Sequence, residues 1–320
     1  MKALKILALA AVSTIALTAA AQADVIVRRV SFMVEKTRVV GDLYLPEGAS
    51  ARAPRPGAVV VGPQTNVKEQ VPATYARELA KRGFVALAID HRGFGESGGL
   101  IRQFEDPGSK VEDIRAAVTF LRSTPEIDHG RVGLLGICSG GGYAAKAASE
   151  DPSIGALVTV AGFFHDPHTF RTWLGGNYEV RLAMGRAARE LYERTGEVAF
   201  ITNVDPTSLD VAMPGREAYD WYGTARGAKP NWENRSATMF FETFLTFDAI
   251  RSGPSIRAAT MVVHSDNALV PDSARRFAAS IMAPTEVVWT NSVNHVAFYD
   301  EDRLVTLAAD SAARWFTTQL

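Results

Sequence analysis

The sequence predicts an α/β fold in which helices cover both faces of a mostly parallel central sheet, with a helical cap inserted late in the chain. Three observations predict it. Short apolar runs bounded by turn residues alternate with helical patterns over most of the length. Some of those runs, such as Gly57-Ala-Val-Val-Val-Gly62, are continuously apolar, the pattern of a strand buried on both faces. Residues 165–252 then break the alternation with a stretch too long for an ordinary loop and too apolar for a disordered linker.

In chain order, residues 25–34 and 39–45 read as two strands joined by a turn, an antiparallel hairpin at the sheet edge. Residues 57–62 form the first doubly buried strand, 68–82 a helix and 84–89 a further strand. A helix is expected over 109–123, where Ile114, Val118 and Leu121 recur at helical spacing. Residues 132–135 are a strand, 142–150 a helix and 154–160 a strand. The cap, 165–252, carries Trp173, Trp221 and Trp232 and reads as mostly helical. Beyond it come a strand at 258–264, a helix at 272–282, the last strand at 285–290 and a closing amphipathic helix at 303–319. The expected core is therefore 24–164 together with 253–320.

Composition bounds the function. Of 320 residues, 47% are hydrophobic and 22% charged, which is globular and not disordered. Lysine and arginine number 34 against 35 acids, so no basic surface for nucleic acid is expected. A single cysteine, Cys138, excludes an intramolecular disulfide and a zinc site built on several thiolates. Residues 1–23 read as a cleavable leader: Lys2 and Lys5, an apolar run over 6–17, and the small-x-small pattern Ala21-Gln22-Ala23. The run is too short to span a bilayer, which takes about 20 apolar residues. No cysteine follows it to carry a lipid. Cleavage after Ala23 and a periplasmic or secreted soluble protein, without a membrane anchor, are the expectation.

The segment Arg131-Val-Gly-Leu-Leu-Gly136-Ile-Cys138-Ser139-Gly140-Gly-Gly carries the chemistry. A strand runs into Gly-x-Cys-x-Gly and then a helix, which is a nucleophile elbow with cysteine at its tip. The glycines allow a strained turn to pack closely, and the helix N-terminus favours a thiolate and an oxyanion. Ser139 is the rival nucleophile, but Ile137 stands where its own elbow needs glycine.

On these residues the chain resembles the α/β-hydrolase superfamily, and within it the dienelactone-hydrolase-related branch, whose members carry a Gly-x-Cys-x-Gly elbow. The block Asp90-His-Arg-Gly-Phe-Gly-Glu-Ser-Gly-Gly is similar to the superfamily's loop before the second helix and reads as architecture. The resemblance implies a histidine after the last strand, where His295 stands in Asn291-Ser-Val-Asn-His295-Val-Ala-Phe-Tyr-Asp. It also implies an acid after the strand ending at His264. The expected position, four residues before Pro271, holds Asn267. Asp266, one residue earlier, is therefore one candidate, and Asp166 after the strand at 154–160 is the other, with Asp266 ahead. The oxyanion hole is expected from the backbone amides of Ser139 and of Gln64, because Pro63 has no N–H.

His165-Asp166-x-His168 brings ligand types together, but so short a loop rarely completes a metal site alone, and no metal is expected. No glycine-rich phosphate cradle follows the first parallel strand, so no cofactor is expected either. The expected activity is hydrolysis of an ester, lactone or thioester of a small-molecule acyl substrate, through a cysteinyl acyl-enzyme with a Cys-His-Asp triad. A catalytically silent binding protein and an acyltransferase on the same fold stay open as alternatives.

Overall fold

The computed structural model describes residues 25–320, and the expected leader with its cleavage after Ala23 lies outside the described residues. The first strands, β1 (Ile26–Val34) and β2 (Thr37–Leu45), form the expected antiparallel hairpin, with β1 at the sheet edge. β3 (Arg55–Val61) then leads to α1 (Val71–Lys81), β4 (Val85–Asp90), α2 (Pro107–Arg122), β5 (Ile127–Ile137), α3 (Ser139–Glu150) and β6 (Ala156–Val160). The long interruption follows: α4 (Pro167–Leu174), α5 (Asn177–Thr195), β7 (Phe200–Thr202), α6 (Arg216–Tyr222), β8 (Arg235–Ala237), α7 (Phe240–Thr246) and a 3-10 turn at Ile250–Ser255. β9 (Ala259–His264), α8 (Pro271–Ser280), β10 (Thr285–Trp289), α9 (Ala297–Asp300) and α10 (Asp302–Gln319) complete the chain.

The main sheet runs β1-β2-β4-β3-β5-β6-β9-β10, antiparallel through β2 and parallel from β4 onward. This is an α/β-hydrolase fold. β6 pairs directly with β9, so everything between them is an insertion at one end of the sheet. The insertion is mainly helical, as expected, with one addition: β7 and β8 pair as a separate antiparallel ribbon.

Alternation along the buried strands builds two cores. Val59, Val61 and Leu134 face α2, α3 and α8, where Ile114, Leu121, Ala144 and Phe277 meet them. Val60 and Leu135 face the other way, onto α1 and α10 and their Tyr75, Leu79, Trp315 and Phe316. Continuous apolar strands are what such double burial requires.

One boundary differs instructively. Three glycines argue against a helix before Gly142, yet α3 starts at Ser139. Gly140 explains why, since a Cβ there would strike the backbone oxygens of Val61 and Gly62. Close approach of α3 to β3 requires glycine, and tertiary packing overrides the helix propensity. Among the described residues no helix is long and apolar enough to cross a membrane.

Candidate active site

Cys138 lies between β5 and α3 with φ +53° and ψ −127°, a backbone conformation that L-residues rarely adopt. Its amide donates to Val160 O (3.2 Å), and its carbonyl accepts from Phe163 N and Gly141 N (both 2.8 Å), so both neighbours fix the turn. Gly136 is needed beneath it, because a Cβ there would enter the Gly140 carbonyl. Ser139 is already the first residue of the helix, so Cys138 occupies the tip of the elbow.

The thiol faces a largely apolar cavity of about 230 Å³. Phe163, Phe170, Trp173, Phe240, Phe241 and Phe244 wall it, and polar groups gather around the sulfur. The backbone amides of Ser139 and Gln64 both point toward Sγ, where the oxyanion hole was expected. The hydroxyl of Ser139 lies 3.9 Å from Sγ, and that of Tyr299 also faces it. Burial nevertheless dominates and pushes the thiol up from its ordinary value, against the pull of these donors.

The loop expected to supply the second oxyanion amide, residues 62–66, is braced on both sides. Thr65 takes φ +59° and donates its amide to Glu105 Oε2 (2.9 Å). Glu105 is fully buried and is paired with Lys110 Nζ (2.7 Å) and the Tyr143 hydroxyl (2.7 Å). On the other side the Tyr222 hydroxyl donates to the Gln64 carbonyl (3.2 Å) and accepts from Asn66 Nδ2 (3.2 Å). Lys68 anchors the loop's exit through Asp90 (2.8 Å), in the glycine-rich segment that the sequence marks as architecture.

His295 follows β10 and lines the same cavity, 2% exposed. Its Nδ1 accepts from the Leu269 amide (3.2 Å), so the neutral ring carries its proton on Nε2. Nε2 is buried and has no partner among the described residues. Burial, with a smaller push from His264, lowers this histidine to about 3, and no carboxylate among the described residues opposes the shift.

That absence corrects the expected triad. Asp266 is 67% exposed and is bound by Arg275. Asp166 caps α4 through the amides of His168 (3.2 Å) and Thr169 (3.1 Å) and pairs with Arg276 (2.6 Å). Neither is bonded to His295. Asn267 instead donates Nδ2 to Ser292 O (2.8 Å), and Ser292 and Ser265 share a hydroxyl contact (2.9 Å), so neutral groups lace the histidine loop to the loop after β9. His165, Asp166 and His168 do not converge: His165 is buried among aromatic rings, while His168 is exposed. Among the described residues, the one acidic cluster close enough to chelate, Glu69, Asp90 and Glu96, is filled by Lys68 Nζ.

Two residues were invisible to motif reading. Tyr299 lies four residues after His295, and that spacing, i to i+4, was the available signal. Glu217, on α6 of the insertion, accepts from the Val296 amide (2.9 Å) and carries no local signature.

Residues 57–302 match the family model described as serine aminopeptidase, S33. The protein PA2218 of Pseudomonas aeruginosa is 28% identical over 295 residues, covering 88% of this chain and 77% of that protein. Its crystal structure superposes with a TM-score of 0.82 at 26% identity, covering 94% of this chain and 95% of that one. The Escherichia coli protein YcjY is 32% identical over 213 residues, 65% of this chain and 69% of its own. The thiohydrolase aneE of Aspergillus aculeatus is 28% identical over 220 residues, 66% of this chain and 67% of its own.

Proposed function

We propose that this chain, which belongs to the serine aminopeptidase S33 family of α/β hydrolases, transfers acyl groups to water through Cys138 rather than through a serine. The observation that carries the reading is the strained elbow at Cys138, with the amides of Gln64 and Ser139 converging on its sulfur inside an apolar cavity. The thiol proton passes to His295 Nε2 as Sγ attacks the acyl carbon, and the oxyanion rests between the two amides. Collapse expels the alcohol or thiol, which takes the proton from His295. Water, deprotonated by the same ring, then attacks the acyl-enzyme and Sγ leaves.

The electrostatics narrow the substrate. Proton acceptance at Nε2 requires the ring proton to move to Nδ1, away from the Leu269 amide, and no carboxylate stabilises the imidazolium that forms. A weak base and a thiol with a raised pKa suit acyl groups with good leaving groups: thioesters, lactones and enol esters. The likeness to a thiohydrolase supports the thioester arm. We read the small-molecule substrate as carrying an apolar or aromatic body, and the chain as exported after cleavage at Ala23.

One observation favours a catalytically silent fold, namely the missing carboxylate at His295. Intact-mass measurement after mixing with a short thioester and an activated ester separates the readings. An acyl adduct abolished in Cys138→Ala and retained in Ser139→Ala supports the hydrolase. An adduct lost only in Ser139→Ala moves the nucleophile, and no adduct on freshly reduced protein supports the silent fold.

A further inference from the structure

The polar groups at the reacting end of the cavity outnumber what a scissile carbonyl needs. Such a carbonyl takes two amide donors and a proton acceptor, and Gln64 N, Ser139 N and His295 supply them. The Gln64 side chain is left over. Gln64 lines the cavity and is only 7% exposed, its Nε2 is buried, and its carboxamide makes no hydrogen bond with any described residue. Buried amides are nearly always paired, and one left open inside a ligand cavity points to a partner that arrives with the ligand. The loop that carries it is braced on both sides, by Glu105 at Thr65 and by Tyr222 at the Gln64 carbonyl, so the carboxamide is presented from a fixed backbone. The charged side chains of the wall are already engaged: Arg181 with the carbonyls of Val211 and Leu209, Arg216 with Asp220, and Glu217 with the Val296 amide.

We propose that the Gln64 carboxamide is a specificity determinant that donates its Nε2–H to a second oxygen on the substrate, next to the scissile carbonyl. The site then prefers acyl groups oxygenated at the third carbon over plain acyl groups of equal length. This rests on the acyl-transfer reading of the same cavity, but it makes a separate claim about ground-state recognition. A donor built to meet a substrate oxygen discriminates strongly against the analogue lacking it, because the donor is then buried unpaired.

The test uses 3-oxoacyl and unsubstituted acyl thioesters of equal chain length on the mature chain. Binding is measured by calorimetry in Cys138→Ala and in Cys138→Ala/Gln64→Leu, and turnover in the chain with Cys138 intact. The expected result is a preference of roughly tenfold or more for the 3-oxo compound in Cys138→Ala that falls to about unity with Gln64→Leu. No preference, or a preference that survives Gln64→Leu, overturns the proposal. A Gln64-dependent binding preference without turnover by the intact chain keeps it and removes the acyl-enzyme mechanism instead. Circular dichroism of the double variant, unchanged from Cys138→Ala, separates lost recognition from lost fold.

Discussion

At the residue scale, Cys138 and Asp266 make opposite predictions. Burial raises the thiol above its ordinary value of 9.0, and the Tyr299 hydroxyl holds part of that rise down. Thiolate therefore accumulates only at alkaline pH, and alkylation of the free protein by iodoacetamide should climb above pH 9 rather than plateau near neutrality. Tyr299→Phe removes a donor to the thiolate, so its profile moves further up. A neutral-pH plateau would contradict the assignment of burial as the dominant effect. Asp266 faces solvent and Arg275 rather than His295. Asp266→Asn should leave the rate of acyl-enzyme formation within about twofold, where a true triad aspartate costs about 10⁴-fold. A loss on that scale would restore Asp266 to the triad.

At the element scale, the loop at residues 62–66 depends on a buried ion pair at another helix. Glu105 precedes α2, pairs with Lys110 inside it, and holds the Thr65 amide and the Tyr143 hydroxyl. Glu105→Gln keeps the shape but leaves the Lys110 ammonium buried without its counter-charge, a loss of about 3–5 kcal/mol. Urea unfolding should show a lower midpoint at unchanged slope, and acylation should slow because the turn at Gln64 and Thr65 loses its brace. The insertion braces the same loop from above through Tyr222. α6 reaches the histidine side as well, where Glu217 accepts from Val296. The inserted elements thus do two things at once: they wall the cavity and fix the loops that bear Gln64 and His295.

At the scale of the whole molecule, buried neutral histidines tie stability to pH. His165 and His295 are both lowered from 6.5 to about 3 by burial, and His91 and His264 are lowered in the same sense. The unfolded chain takes up these protons below pH 6.5 while the folded chain refuses them, so stability is complete above 6.5 and is lost as pH falls toward 3. His165 and His295 each withdraw about 1.4 kcal/mol per pH unit across that window. Unfolding midpoints measured between pH 7 and 5 sample it above the carboxylate range. His165→Phe should flatten the slope by about 1.4 kcal/mol per unit. The ring nitrogens of His165 have no partner among the described residues and sit against Tyr143, Phe244 and Phe247, so phenylalanine should not destabilise the protein at pH 7. An unchanged slope would mean that His165 is protonated or hydrated in the folded state.

The strand runs, the helical spacings and the Gly136-x-Cys138-x-Gly140 turn are local patterns, each set by the chemistry of a few neighbouring residues, and each was legible in the sequence. So were the places of His295 and of the Gln64 amide, because chain order in this fold leaves few positions for them. The helix start at Ser139 was not legible, since the contact that demands Gly140 comes from β3. The acid was misread for the same kind of reason. Asp266 stands one residue from the expected place, but a one-residue offset turns a loop side chain outward, where Arg275 takes it and Asn267 takes the inner position. Tyr299 on α9, Tyr222 and Glu217 on α6, and Glu105 before α2 come from three separate parts of the chain and meet only when the sheet, α2, α6 and α9 are packed. The sequence alone determined the fold and the tip of the elbow, because backbone sterics and hydrophobic periodicity act at short range. Only the tertiary structure decided which polar groups stand inside the cavity and which charges they meet, because burial and pairing are set by residues far apart in the chain.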